Sequence, residues 1–314
     1  MNTQLKLDIK ESNGINVISL FDGKACARVA LERAGIKVSN YYASEIDQPS
    51  MTIAKKNYPD IKHVGDVTKL HHIDWTGIDL LCGGSPFQGF SFAGKQLNFN
   101  DPRSALFFEF VRIWNEIKAV NPNAKFFLEN VKMKKEYEDE ITRMMGVKPV
   151  FFNSERVSAQ NRKRLYWTNI EGFVMPDDKK ISLIDVLEDL PDCPVGVSVR
   201  NKSKCLRVGG RNSPFGSKQE WDSPFQIISK KGILKRNKNK ASCLTSDANS
   251  GGNHSDMDIL YTPFCTRRYS PIECERLQTL PDNYTEGVCI TQRYKMIGNG
   301  WTIDVIVEFF KHLK

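Results

Sequence analysis

Through its first 131 residues the chain alternates short apolar runs with stretches of helical spacing, and this alternation constrains its fold more than any other feature. Residues 16–21 (NVISLF) read as a strand, 25–34 as a helix and 41–46 (YYASEI) as a second strand, which is a βαβ opening. The pattern continues with a helix over 49–57, strands over 61–67 and 78–84, a helix over 104–119, a strand over 125–131 and a helix over 135–145. Strands separated by helices pair in parallel, because each crossover carries the chain back to the end where the previous strand began. The expected core is therefore a doubly wound α/β sheet covered on both faces. Two more β-rich runs, 151–157 and 164–169, extend that sheet at one edge.

After Asn169 the character changes. Residues 171–265 are rich in Gly, Pro, Ser, Asn and Lys, with one short helical pattern over 181–188, and read as a smaller, loop-rich domain. Order returns at Ser270-Pro271, which have the form of an N-cap and first helical residue ahead of IECERLQTL, and a last helix is expected over 302–312. The expected division is a catalytic and cofactor-binding domain over 1–170, a target-recognition domain over 171–290 that includes the block 267–284, and a segment over 291–314 returning to the first domain.

Charge is distributed unevenly. The formal net charge is only +8, yet residues 200–240 hold twelve Lys and Arg against Glu220 and Asp222, so the rest of the chain is close to neutral. A basic segment on a near-neutral body suits a polyanion, although charge alone does not separate this from a solvated loop surface. With 40% hydrophobic residues the chain has ample core, which excludes disorder. No apolar run approaches the roughly 18 residues of a membrane span, and the first residues lack the apolar stretch of a signal peptide. A soluble intracellular protein is expected. Eight cysteines, at 26, 82, 193, 205, 243, 265, 274 and 289, form no C-x-x-C pair, so reduced thiols and no metal centre are expected.

In doubly wound sheets ligands bind outside the carboxyl ends of the strands, where Phe21, Glu45, Asp66 and Gly83 would converge. Glu45 follows Gly23 by 22 residues and ends the second strand, an acid placed for a ribose diol. G-x-G-x-x-G is absent, which favours an adenosine cofactor without a pyrophosphate.

Eight blocks, FDGKACARVALERAG, ASEID, GDV, GGSPFQGFS, LENV, QNRKRLYW, RRYSPIECERLQTLPDNY and RYKMIGNGW, stand in the order of the motif blocks of DNA cytosine-5 methyltransferases. The chain resembles that family over nearly its whole length outside 171–265, and most of all the animal de novo enzymes and related bacterial or phage enzymes. The resemblance implies a Rossmann-like methyltransferase domain with S-adenosylmethionine as donor. The donor site would comprise Phe21, Asp22, Gly23, Glu45, Ile46, Asp66, Val67, Asn299, Gly300 and Trp301. It also implies double-stranded DNA as partner, with the target cytosine flipped out of the stack. Glu129 would contact N3 and the amino group of the base, and Arg162 and Arg164 would position base and backbone; taken singly, without the surrounding blocks, these residues read rather as a helix N-terminal acid and a solvated basic turn. Gln88 and Ser91, on a long loop over 87–103, and Gln160 would lie near the DNA, with Arg207, Arg211, Lys235, Arg236, Arg267 and Arg268 as further contacts. A monomer is expected, acting in restriction-modification in the cytoplasm of a bacterial or phage-infected cell, or in the nucleus if eukaryotic.

One position departs from the family. Where its motif has Pro-Cys, with the cysteine as nucleophile, this chain has Pro86-Phe87. Phenylalanine cannot form the covalent adduct that activates C5. The first reading is a cytosine-5 enzyme that is inactive or altered at this position. The alternatives are a non-catalytic DNA-binding paralogue and a cytosine-N4 methyltransferase that stacks Phe87 on the base, as Ser85-Pro86-Phe87 imperfectly suggests.

Overall fold

The computed structural model describes residues 5–7, 9, 13–85, 102–188, 226–228, 240–241, 243–244, 259–261 and 266–313. They form two compact units, the first comprising 1–153, 163–175 and 303–314 and the second 154–162 and 176–302.

The first unit is built on a seven-stranded sheet. Its strands are β1 (Ile15–Leu20), β2 (Val38–Ser44), β3 (Lys62–His63), β4 (Leu80–Gly83), β5 (Lys125–Val131), β6 (Val150–Asn153) and β7 (Lys163–Thr168), in spatial order β3-β2-β1-β4-β5-β7-β6. The first five are parallel, and β7 and β6 join antiparallel at one edge. The helices are α1 (Cys26–Arg33), α2 (Gln48–Asn57), α3 (Pro102–Val120), α4 (Lys135–Met145) and α7 (Ile303–Phe310); α5 (Pro271–Leu277) and α6 (Ile290–Asn299) belong to the second unit.

Period-two alternation assigns the two faces. Ile18, Leu20, Tyr42, Leu81, Phe126 and Leu128 join one core with Phe107, Phe110, Trp114 and Ile117, which recur at helical spacing along α3, and with Tyr137, Ile141 and Met145 of α4. Phe127 has the opposite parity and meets Phe309 and Phe310 of α7 at ring distances of 5.2 Å each. Helix α7 also packs on α1, with Arg33 paired to Asp304 at 2.8 Å. No helix among the described residues is long and apolar enough to cross a membrane.

The strand order reverses between β1 and β4, so the crevice that such sheets offer a ligand opens at their carboxyl ends. Leu20 pairs with Gly83, and Gly83 with Leu128, which brings the ends of β1 and β4 level while β5 runs on past them to Val131. A Cβ on Gly83 would lie 2.9 Å from the Phe110 ring and 3.2 Å from the Leu20 carbonyl oxygen. Phe110 is fully buried and has nowhere to retreat. Gly83→Ala should therefore cost about 1–3 kcal/mol, read as a lowered urea midpoint.

Several elements differ in extent from the sequence pattern. The strand expected over 61–67 stops after His63: Gly65 takes φ +82°. Asp66 then caps a single turn at Val67–Lys69. The run 151–157 yields a strand only to Asn153, followed by a turn at Ser154–Arg156. The helical pattern over 181–188 is one turn at Leu183–Val186 inside a Ser182/Asp185 capping box.

In the second unit, α5 (Pro271–Leu277) begins with a capping box in which the Ser270 hydroxyl accepts from the Glu273 N–H and Glu273 accepts from the Ser270 N–H. Helix α6 (Ile290–Asn299) packs on it. Ala159, Leu183, Val186, Ala241, Leu244, Tyr269, Cys274, Leu277, Tyr294 and Ile297 form the core there. A small antiparallel sheet, β8 (Gln226–Ile228), β9 (Ile259–Tyr261) and β10 (Thr266–Arg268), belongs to the same unit.

Candidate active site

The turn after β1 carries the first cluster. Phe21, Gly23 and Ala25 all have positive φ, at 56°, 61° and 67°, and two of the three are not glycine, which marks a strained loop of the kind concentrated at ligand sites. The Glu45 carboxylate holds this turn to the end of β2. One oxygen accepts from the Gly23 N–H at 2.8 Å, the other from Ile46 and Asp47 N–H at 2.7 and 2.9 Å. A carboxylate has about four acceptor positions, so one remains for a hydroxyl donor. Ile46 beside it is 70% exposed, an unusual position for an apolar side chain. Nothing lies within 4 Å of a Cβ built on Gly23 or Gly65, so there is open space at both strand ends. The Asp66 carboxylate accepts from Thr68 N–H and Oγ1, which holds its pKa below the usual range, and Val67 is buried.

Asp22 is different. It is 6% exposed, its Oδ1 accepts from the Tyr41 hydroxyl at 2.5 Å, and burial pushes its pKa up to about 7. Lys24 beside it is 1% exposed, an uncommon depth for lysine. No sequence pattern singled out Tyr41 or Lys24; Tyr41 looks from sequence like ordinary strand core.

A second cluster lies at the end of β5. Glu129 is buried and its Oε1 is 2.8 Å from Arg164 Nε, across the β5–β7 pairing. Next to it Asn130 Nδ2 donates to Ser85 Oγ at 3.5 Å, next to the Pro86-Phe87 position. The structure therefore brings Phe21, Asp22, Gly23, Glu45 and Ser85 with Glu129 and Arg164 to one end of one sheet. Cys82, on β4, is fully buried, and burial raises its thiol pKa well above normal, so it supplies no thiolate.

The remaining residues fall in the second unit. Arg162 is 4% exposed and donates to the carbonyls of Leu244, Gly298 and Gly300 at 2.7, 3.2 and 2.9 Å, and to Cys243 Sγ at 3.1 Å. Gln160 is fully buried, and neither atom of its amide has a partner among the described residues. Asn299 and Gly300 close α6, and Trp301 is buried after them. Lys240, the last cation of the basic stretch, donates to the carbonyls of Glu155, Ser158 and Ile181, so it staples loops together and has little left for a phosphate.

A sequence model for C-5 cytosine-specific DNA methylases matches residues 15–314, almost the entire chain. The chain belongs to that family. Family members use S-adenosylmethionine as methyl donor. Among its relatives are the type II methyltransferase M.HhaI of Haemophilus parahaemolyticus, 28% identical over 96% of this chain and 95% of that protein, and M1.ScrFI of Lactococcus lactis subsp. cremoris, 30% identical over 92% and 75%. Among solved structures, the Entamoeba histolytica methyltransferase EhMeth superposes with a TM-score of 0.67 at 17% identity, covering 96% of this chain and 98% of its own. The S. pombe Dnmt2 methyltransferase gives 0.64 at 18% identity, covering 95% and 97%. At those identities the likeness concerns the fold, which is the doubly wound α/β methyltransferase architecture.

Within this family frame, Phe87, Gln88, Ser91, Arg207, Arg211, Lys235 and Arg236 lie outside the described residues, as does most of the loop over 87–103. Arg267 and Arg268 stand on β10, opposite Leu260 and Ile259 of β9.

Proposed function

We propose that this chain binds S-adenosylmethionine at the carboxyl end of its sheet and double-stranded DNA through its basic second unit, and that, with Phe87 at the nucleophile position, it does not complete cytosine-5 methylation. The observation that carries this reading is the contrast between Phe87 and an otherwise retained site, above all the buried Glu129–Arg164 pair.

The donor turn fits such a cofactor. Glu45 would accept from a ribose hydroxyl, Ile46 would lie against the purine, and Asp66 and Val67 would border it. When bound, the donor supplies an electrophilic methyl group. Glu129 would accept from the cytosine amino group and, once N3 takes up a proton, from N3–H, countering the charge that develops on the ring, and Arg164 pairs with the carboxylate. Gln88 and Ser91 would face the DNA, whereas Gln160, expected there from the resemblance, is fully buried inside the second unit and has no surface to offer it. Arg207, Arg211, Lys235, Arg236, Arg267 and Arg268 would bind phosphates and base edges.

The chain with radiolabelled donor and duplex DNA tests this. The expected result is DNA binding whose affinity falls steeply with salt, measurable donor binding and no 5-methylcytosine after hydrolysis. Formation of 5-methylcytosine at an ordinary enzymatic rate would overturn the reading. N4-methylcytosine would replace it with amino methylation.

A further inference from the structure

Beneath the donor turn lies a carboxyl group that its surroundings only half satisfy. Asp22 Oδ1 accepts from the Tyr41 hydroxyl and the Ser19 hydroxyl lies within reach of the same carboxyl, whereas Oδ2 is buried without a well-formed hydrogen bond among the described residues. The residues on either side, Phe21 and Gly23, are both at positive φ, so Asp22 sits between two left-handed residues of the loop. The ionisable groups facing it are Tyr41 on β2, Glu45 just beyond β2, Lys24 in the turn and Cys82 on β4, of which only Lys24 is cationic. A buried, half-satisfied carboxyl favours its protonated form until positive charge arrives nearby.

We propose that Asp22, held by Tyr41, selects the charge of the bound cofactor. It gives up its proton to solvent when a sulfonium-bearing donor binds, and so favours that cation over the neutral thioether left after methyl transfer. This deepens the donor-site reading above and rests on it. The preference follows from charge: S-adenosylmethionine carries a positive sulfur that S-adenosylhomocysteine lacks, while both carry the same amino-acid group.

Burial keeps the Asp22 carboxyl protonated up to about pH 7 in the free protein, and a cation beside it lowers that limit. A ligand that prefers the ionised form binds more tightly as pH rises, by at most about tenfold per pH unit, over the interval between the bound and free pKa values. The sign is thus fixed: tightening occurs on the acid side of neutrality and levels off above it.

Calorimetric titration of the full chain with each ligand, from about pH 5.5 to about pH 7.5, tests this. The dissociation constant for S-adenosylmethionine should fall by about tenfold across the interval, with proton release on binding, and that for S-adenosylhomocysteine by less than about twofold. Asp22→Asn, a neutral isostere, should flatten the donor profile and reduce discrimination between the ligands. Tyr41→Phe removes a hydrogen bond that favours the ionised carboxyl and should move the tightening to higher pH. Parallel profiles for the two ligands, or an unchanged pH dependence in Asp22→Asn, would overturn the selector while leaving the donor site intact. Failure of both ligands to bind at every pH would remove the donor-site reading and the selector with it.

Discussion

Phe87→Cys is expected to convert a chain that makes no 5-methylcytosine into one that does, with a gain on the order of 10⁴-fold or more, the scale on which enzymes lose rate when a covalent nucleophile is removed. The C5 carbon of cytosine is a poor nucleophile because it belongs to an aromatic ring. Attack of a thiolate at C6 makes C5 enamine-like, and a phenyl ring has neither the lone pair nor the proton equilibrium for that step. No described cysteine can take over at the sheet end: Cys82 is buried with its thiol held protonated, and Cys26 is buried in the first turn of α1. The partners the new thiol would need are present, since Glu129 and Arg164 are paired next to the strand that leads to position 87. Two readouts follow: methyl incorporation with identification of the modified base, and a protein–DNA adduct that survives denaturation. Adding Glu129→Gln to Phe87→Cys should lower the restored rate again, by about 10²–10⁴. Equal product from the chain and from Phe87→Cys would show that the residue at 87 does not control the chemistry.

Much of this architecture is legible in the sequence because local signals and tertiary structure agree. The apolar run over 16–21 becomes β1 with a shift of one residue, and the spacing of Phe107, Phe110, Trp114 and Ile117 gives α3 its buried face. Ser270-Pro271 caps α5 as its chemistry requires. The misses have physical causes. The run over 61–67 contains Gly65 and an aspartate whose side chain competes for backbone N–H groups, and β3 is cut to two residues. Helix α6 has no side-chain cap at Cys289 and begins with an exposed Ile290, so neither its start nor its face stands out. The Asp22–Tyr41 pair depends on the register of β1 against β2, in which Val17 faces Tyr41, and no local pattern encodes this. Lys240 counts as one more surface cation in the sequence, whereas it is a ligand for three carbonyls. Long-range hydrogen bonds are the part of a site that sequence spacing reveals least.

Arg162 shows the same limit at larger energetic scale, and its removal is expected to be the most destabilising single change in the second unit. Its guanidinium joins the 243–244 segment to the end of α6, through carbonyls 82, 136 and 138 residues away in sequence. Each carbonyl left dry and unpaired costs about 1–3 kcal/mol, so Arg162→Ala should lose about 3–6 kcal/mol, a large share of the roughly 5–15 kcal/mol that holds a domain folded. Arg162→Lys should recover only part of this, since the three donors of an ammonium radiate from one atom, whereas the guanidinium reaches the 243–244 segment through Nη1 and the end of α6 through Nη2. Urea unfolding of the full chain, followed by tryptophan fluorescence, would read the loss as a lower midpoint, and Trp301, two residues beyond Gly298 and Gly300 on average, is a reporter close to the break. A purely DNA-contacting arginine predicts the reverse pattern: stability unchanged and DNA affinity reduced. An Arg162→Ala protein with the midpoint of the unsubstituted chain would therefore refute the clamp. A lowered midpoint together with weakened DNA binding would mean that Arg162 acts on DNA through the loop it braces, because the four groups that now occupy its donors would have to be abandoned before it could reach a phosphate or a base.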